Sequence, residues 1–111
     1  METMDASRAL SALGHETRLS IFRLLVQAGP GGAAAGDLAR ALELAPNALS
    51  FHLKDLSYAG LVNSRTAGRY VIYSANFSSM NDLIGFLTEN CCGGAGCEPA
   101  PARAKPARRK A

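Results

Sequence analysis

The apolar residues change period once along this chain, and that change restricts the folds open to it. Up to Gly60 they recur with helical spacing: Leu49, Leu53 and Leu56 stand at i, i+4 and i+7. After Gly60 they alternate. Leu61-Val62-Asn63-Ser64-Arg65 and Tyr70-Val71-Ile72-Tyr73-Ser74 read as two strands, with Thr66-Ala67-Gly68-Arg69 as the hairpin turn between them. A series of helices, one hairpin and a last helix predict a mainly α domain of about five helices with a small β-hairpin.

The helices have legible limits. Asp5 to Leu13 reads as a short first helix with Leu10 and Leu13 on one face, broken by Gly14-His15. Glu16 or Thr17 opens a second helix through about Ala28. Leu19, Ile21, Phe22, Leu24, Leu25 and Val26 make it apolar on most sides, so it is expected at the centre of the core. Gly29-Pro30-Gly31-Gly32 ends it. A third helix is predicted over Ala34 to Leu42, and Ala45-Pro46 starts a fourth that Gly60 caps. Asn76 or Ser78 caps a last helix to about Asn90, with Phe77, Met80, Leu83, Ile84 and Leu87 as one apolar stripe.

The formal net charge of +3 conceals a division. Arg103, Lys105, Arg108, Arg109 and Lys110 lie in the Pro/Ala-rich end, whereas residues 1–98 carry seven Lys/Arg against nine Asp/Glu. The body is therefore not a generally basic surface, and any nucleic-acid contact must come from local placement of charge. The acidic N-terminus lacks the layout of a signal peptide, and no apolar stretch is long enough to cross a bilayer. The expected location is the cytoplasm, with no membrane partner. The expected organisation is a DNA-binding and dimerisation domain over 1–90, a cysteine-rich ligand segment over 91–97 and a disordered basic tail over 98–111.

Helix, short turn, helix and hairpin is the layout of a winged helix-turn-helix, whose second helix enters the major groove. The expected DNA contacts are Asn47, Ser50, Phe51, His52 and Lys54 on that helix, with Arg65 and Arg69 at the hairpin. Asparagine bonds adenine edges in a bidentate way, serine bonds bases or phosphate, and arginine grips phosphate or enters a minor groove. His52 reads as a donor to phosphate or a base, with a packing residue between helices as the alternative. Phe51 either meets a thymine methyl or packs.

All three cysteines, Cys91, Cys92 and Cys97, fall within one short glycine-rich run. Adjacent cysteines do not readily bridge each other, and an odd count argues against a disulfide framework. Structural zinc takes four ligands, and no histidine lies near. Three soft thiolates suit a three-coordinate trivalent arsenic-type centre better than zinc. The plainer alternative is a tail with incidental thiols. A third reading is a redox sensor in which Cys92 and Cys97 oxidise to a disulfide. No phosphate loop, paired carboxylates or nearby cysteine–histidine couple marks an enzyme.

Several runs together resemble the ArsR/SmtB repressors. Leu13-Gly14-His15-Glu16-Thr17-Arg18-Leu19-Ser20-Ile21-Phe22-Arg23-Leu24-Leu25 resembles their second helix, and Asn47-Ala48-Leu49-Ser50-Phe51-His52-Leu53-Lys54-Asp55-Leu56 their recognition helix. Ala59-Gly60-Leu61-Val62 is similar to the turn that follows, and Gly68-Arg69-Tyr70-Val71-Ile72-Tyr73 to the wing. The resemblance spans roughly residues 5–90. It implies a homodimer through the first and last helices, bound to double-stranded operator DNA.

The family's arsenic site in the third helix is absent, since Gly32 to Leu38 contains no cysteine. Its zinc site in the last helix lacks histidines beside Asp82 and Glu89. What remains, Leu87-Thr88-Glu89-Asn90-Cys91-Cys92 with Cys97, is similar to a subgroup of arsenic-responsive repressors with three cysteines past the last helix. The resemblance implies As(III) as inducer on Cys91, Cys92 and Cys97, with Sb(III) binding likewise. Methylated As(III), with two free positions, would need only two cysteines.

Overall fold

A computed structural model describes residues 1–94; Cys97 and the expected tail over 98–111 lie outside the described residues. Five α-helices accompany a small sheet, against which α2, α3 and α4 pack. They are α1 (Thr3–Leu13), α2 (Glu16–Ala28), α3 (Ala35–Leu42), α4 (Pro46–Tyr58) and α5 (Phe77–Thr88). The strands are β1 (Ala33–Ala34), β2 (Val62–Ala67) and β3 (Tyr70–Ala75). The expected winged helix-turn-helix is present.

Sequence chemistry accounts for the boundaries. The His15 imidazole caps α2, its Nδ1 accepting the Thr17 N–H at 3.2 Å. Pro46 occupies the first turn of α4, where its missing donor costs nothing. Gly60, at φ 77°, stops α4: its N–H bonds the Ser57 carbonyl, and the Leu61 N–H bonds that of Leu56. Asn76 caps α5 through Ser79 N–H and donates its amide to the Gly60 carbonyl, both at 3.1 Å. One side chain thus ties the end of α4 to the start of α5 across the hairpin.

The hairpin is longer and tighter than the alternation suggested. Thr66 and Ala67 belong to β2, which leaves Gly68 and Arg69 as the loop, with Gly68 at φ 63°. Ala67 pairs with Tyr70 and Val62 with Ala75. The sheet also has a strand that the sequence reading lacked. Ala33–Ala34 pairs antiparallel with Tyr73 and Ile72, giving the order β1-β3-β2, and α3 begins one residue later than expected.

Ile21, Leu25, Leu38, Leu49, Leu53, Leu56 and Leu61 form the fully buried centre. α2 supplies the core as expected, but Leu19 is 43% exposed. On α1 the residues that reach the core are small. The buried face is Ala6, Ala9 and Ala12, whereas Leu10 is 45% and Met4 71% exposed. Small alanines let α1 lie close on its neighbours; Leu13 packs against the core, while Leu10 and Met4 turn outward. The α5 stripe divides likewise: Leu83 is buried, Phe77, Met80 and Phe86 pack against the core, and Ile84 and Leu87 face solvent.

Candidate nucleic-acid interface

α4 buries Leu49, Leu53 and Leu56 and so must show the rest of its circumference outward. Asn47, Ser50, Phe51 and Lys54 are all exposed, on one continuous face. Phe51 is 62% exposed, so its ring does not pack in the core. Tyr58, 75% exposed, extends this face one turn further at the spacing 47, 51, 54, 58. The sequence reading missed Tyr58, although its helical spacing from Phe51 and Lys54 is a visible signal.

The wing carries Arg65 on β2 and Arg69 in the hairpin loop, both exposed. Their settings differ. Arg65 donates from Nη2 to the Gly31 carbonyl at 2.9 Å, which ties the wing to the loop between α2 and β1. Arg69 stands at the tip beside Gly68.

His52 stands apart from the other residues expected to touch DNA. It is half-buried between α2 and α4. Its Nδ1 accepts the Arg18 Nε–H at 3.3 Å, and its ring lies 4.9 Å from that of His15. Arg18 also donates from Nη2 to Asp55 Oδ2 at 2.6 Å. Burial holds the His52 imidazole below its ordinary range, helped by His15 and the Arg18 guanidinium and opposed by Asp55. His52 thus lies at the helix–helix junction. Arg18 was not among the expected functional residues, because its partners lie 34 and 37 positions away.

The second expected site begins where α5 ends. Cys91 and Cys92 are exposed, with their Sγ atoms 3.6 Å apart. Asn90, Cys92, Gly93 and Gly94 all have positive φ, between 55° and 86°, a left-handed backbone that residues other than glycine rarely adopt. Among the described residues no group of three or more His, Cys, Asp or Glu gathers at one point. The third expected sulfur, that of Cys97, lies outside them.

An amide, a hydroxyl, an aromatic face and a cation on one protruding helix, beside a wing with two guanidinium groups, define a winged helix-turn-helix DNA-binding protein. Comparison with known proteins agrees. A family model described as a helix-turn-helix domain matches residues 13–65. The chain is 32% identical to the HTH-type transcriptional regulator YgaV of Escherichia coli, over 79% of this chain and 87% of that protein. It is 35% identical to the arsenical resistance operon repressor of Bacillus subtilis, over 73% of each. Among solved structures, an ArsR-like transcriptional regulator from Rhodococcus sp. RHA1 superposes with a TM-score of 0.67 at 31% identity, over 76% of each chain. The chain belongs to the ArsR/SmtB family of winged helix-turn-helix transcriptional regulators. It regulates transcription by binding DNA, and the relatives it matches are regulators, not enzymes. No helix among the described residues is long and apolar enough to cross a membrane.

Proposed function

We propose that this regulator is a homodimeric repressor of an arsenic-resistance operon, released from its operator when trivalent arsenic binds the thiolates of Cys91, Cys92 and Cys97. The observation that carries the reading is the pair of exposed sulfurs 3.6 Å apart where α5 ends. With bonds of about 2.3 Å, as for zinc–thiolate, one thiophilic centre reaches both sulfurs. Similarity to an arsenical resistance operon repressor supports the choice of ligand.

Arsenous acid and three thiols give one As(III) tris-thiolate and three waters, with no change of oxidation state. Gly93 and Gly94, at φ 67° and 86°, hold backbone conformations that favour glycine. In the proposed site their freedom would let Cys97 join the pair. Sb(III) follows the same balance. A methylated As(III) closes on two sulfurs and releases two waters.

DNA is read by Asn47, Ser50, Phe51 and Lys54 of α4, with Arg65 and Arg69 at the flanking backbone or minor groove. The exposed Met4 and Leu10 of α1 and Ile84 and Leu87 of α5 pair with a second copy. A twofold axis then sets two copies of α4 about one helical turn of DNA apart, near 34 Å. Ligand closure reorganises the end of α5 and with it the dimer. A coupling of about 1–3 kcal/mol weakens DNA binding roughly 5- to 150-fold.

The test is fluorescence anisotropy of the reduced protein on DNA from its own promoter, at fixed salt, with and without arsenite. Release by arsenite that Cys91→Ser abolishes is the expected result. Tight binding indifferent to arsenite overturns the ligand, and release by peroxide alone replaces it with a redox sensor. An unchanged arsenite response in Cys97→Ser reduces the site to two sulfurs and favours methylated arsenic.

A further inference from the structure

The geometry points to Arg18 of α2 as the positioning residue of the DNA-reading helix, acting through His52 and Asp55. Its guanidinium makes two contacts on consecutive turns of α4: Nε–H to His52 Nδ1 at 3.3 Å and Nη2–H to Asp55 Oδ2 at 2.6 Å. Arg18 is 19% and Asp55 37% exposed, so the clamp is partly shielded from water. Along its length α4 is otherwise held by apolar packing, through Leu49, Leu53 and Leu56, with a polar tie at its end, where the Asn76 amide donates to the Gly60 carbonyl. Apolar packing is non-directional and tolerates a small roll of the helix. A forked, charge-assisted contact does not. His52 and Asp55 are each adjacent in sequence to a residue of the reading face, Phe51 and Lys54. A roll that broke the clamp would move both tips relative to the bases.

The clamp requires a neutral His52. An arginine Nε–H only donates, so His52 Nδ1 must carry no proton. The neighbouring ring, His15, uses its own Nδ1 to accept the Thr17 N–H at 3.2 Å. The groups acting on His52 are His15 and Arg18 from the α2 side and Asp55 from α4 itself. α1 brings Arg8 to the groove that Arg18 and Asp55 line, and on α3 Asp37 and Arg40 pair with each other. Protonation at Nδ1 would set two donors and two positive charges against each other, and the lowering of the His52 pKa, by burial first and then by His15 and Arg18, fits that arrangement. Acid should therefore weaken sequence-specific binding. A protein that merely gains positive charge binds the DNA polyanion more tightly instead.

This inference rests on α4 being the helix that reads DNA, so the experiment carries a separate check of that reading. Affinity for promoter DNA and for a random duplex is measured by anisotropy from pH 7.5 to 5.5 at fixed ionic strength, with active fractions from stoichiometric titration. Arg18→Gln and Asp55→Asn are each expected to lose about tenfold in promoter affinity at pH 7.5, the scale of one charge-assisted hydrogen bond. Their random-duplex affinity should hold. Loss of both affinities together, with a reduced active fraction, shows Arg18 to be only structural and overturns the proposal. In the unaltered protein the ratio of promoter to random affinity should fall toward pH 5.5, and His52→Gln should flatten that fall. A fall that persists in His52→Gln and disappears in His15→Asn assigns the proton to the other ring and overturns the role of His52. Asn47→Ala is the check on α4: unchanged promoter affinity there overturns the reading helix itself, whereas a loss there beside an inert Arg18→Gln overturns the clamp alone.

Discussion

Gly32 and the Tyr73 carbonyl approach so closely at the β1–β3 edge that no side chain fits between them. A Cβ at Gly32 would run into the Tyr73 carbonyl oxygen, and Gly32 has φ 72°. This contact starts β1, the strand through which the loop after α2 joins the wing sheet. The loop is held a second time by Arg65 on the Gly31 carbonyl. The wing is thus braced against the body at two successive glycines.

Gly32→Ala should destabilise the protein by about 2–4 kcal/mol, combining the left-handed backbone penalty with displacement of β3. Gly31→Ala is the matched control. Nothing lies within 4 Å of its would-be Cβ, and the change should stay within about 0.5 kcal/mol. Urea unfolding of both variants measures the difference. Equal midpoints would show that the loop yields without cost.

Ile84 and Leu87 are 53% and 57% exposed, although they continue the apolar stripe of α5. If a second copy covers them, Ile84→Glu should halve the mass measured by sedimentation while circular dichroism stays helical, because the buried Leu83 is untouched. Phe51→Glu, an equally exposed apolar residue on α4, should leave the mass unchanged. A dimer that survives Ile84→Glu would place the interface elsewhere.

Stability should fall on mild acidification. His52 titrates below its ordinary value near 6.5 when folded, through burial first and the neighbouring His15 and Arg18 next. The unfolded chain therefore takes up the proton before the folded one. The stabilisation is complete above about pH 6.5 and is lost as pH falls from there toward the folded value. The urea midpoint should drop between pH 7.5 and 5.5, and the drop should shrink in His52→Gln. A midpoint that rises over this interval would refute the assignment.

Much of the interface was legible because its signals are local. Asn47, Ser50, Phe51 and Lys54 fall on one exposed face for the same reason that Leu49, Leu53 and Leu56 fall on the buried one: the helical period sorts them. Gly60 and Asn76 announced their caps by residue type. Other assignments failed where two answers share one pattern. Leu19 was expected in the core with the rest of the apolar run of α2, yet it is 43% exposed, because a helix apolar on most sides does not say which side is left out. β1 escaped notice because two alanines carry no alternation.

The sequence alone determined the order of the five helices and the two hairpin strands, the limits of α2, the reading face of α4 and the presence of a wing, since each depends on residues within a turn or two of one another. Tertiary structure alone decided which way His52 faces, that Arg18 grips α4, and that Arg65 holds Gly31. These are pairings between residues more than thirty positions apart. No local period encodes such a pairing; it exists only once the apolar faces have packed and brought directional polar groups within hydrogen-bonding distance.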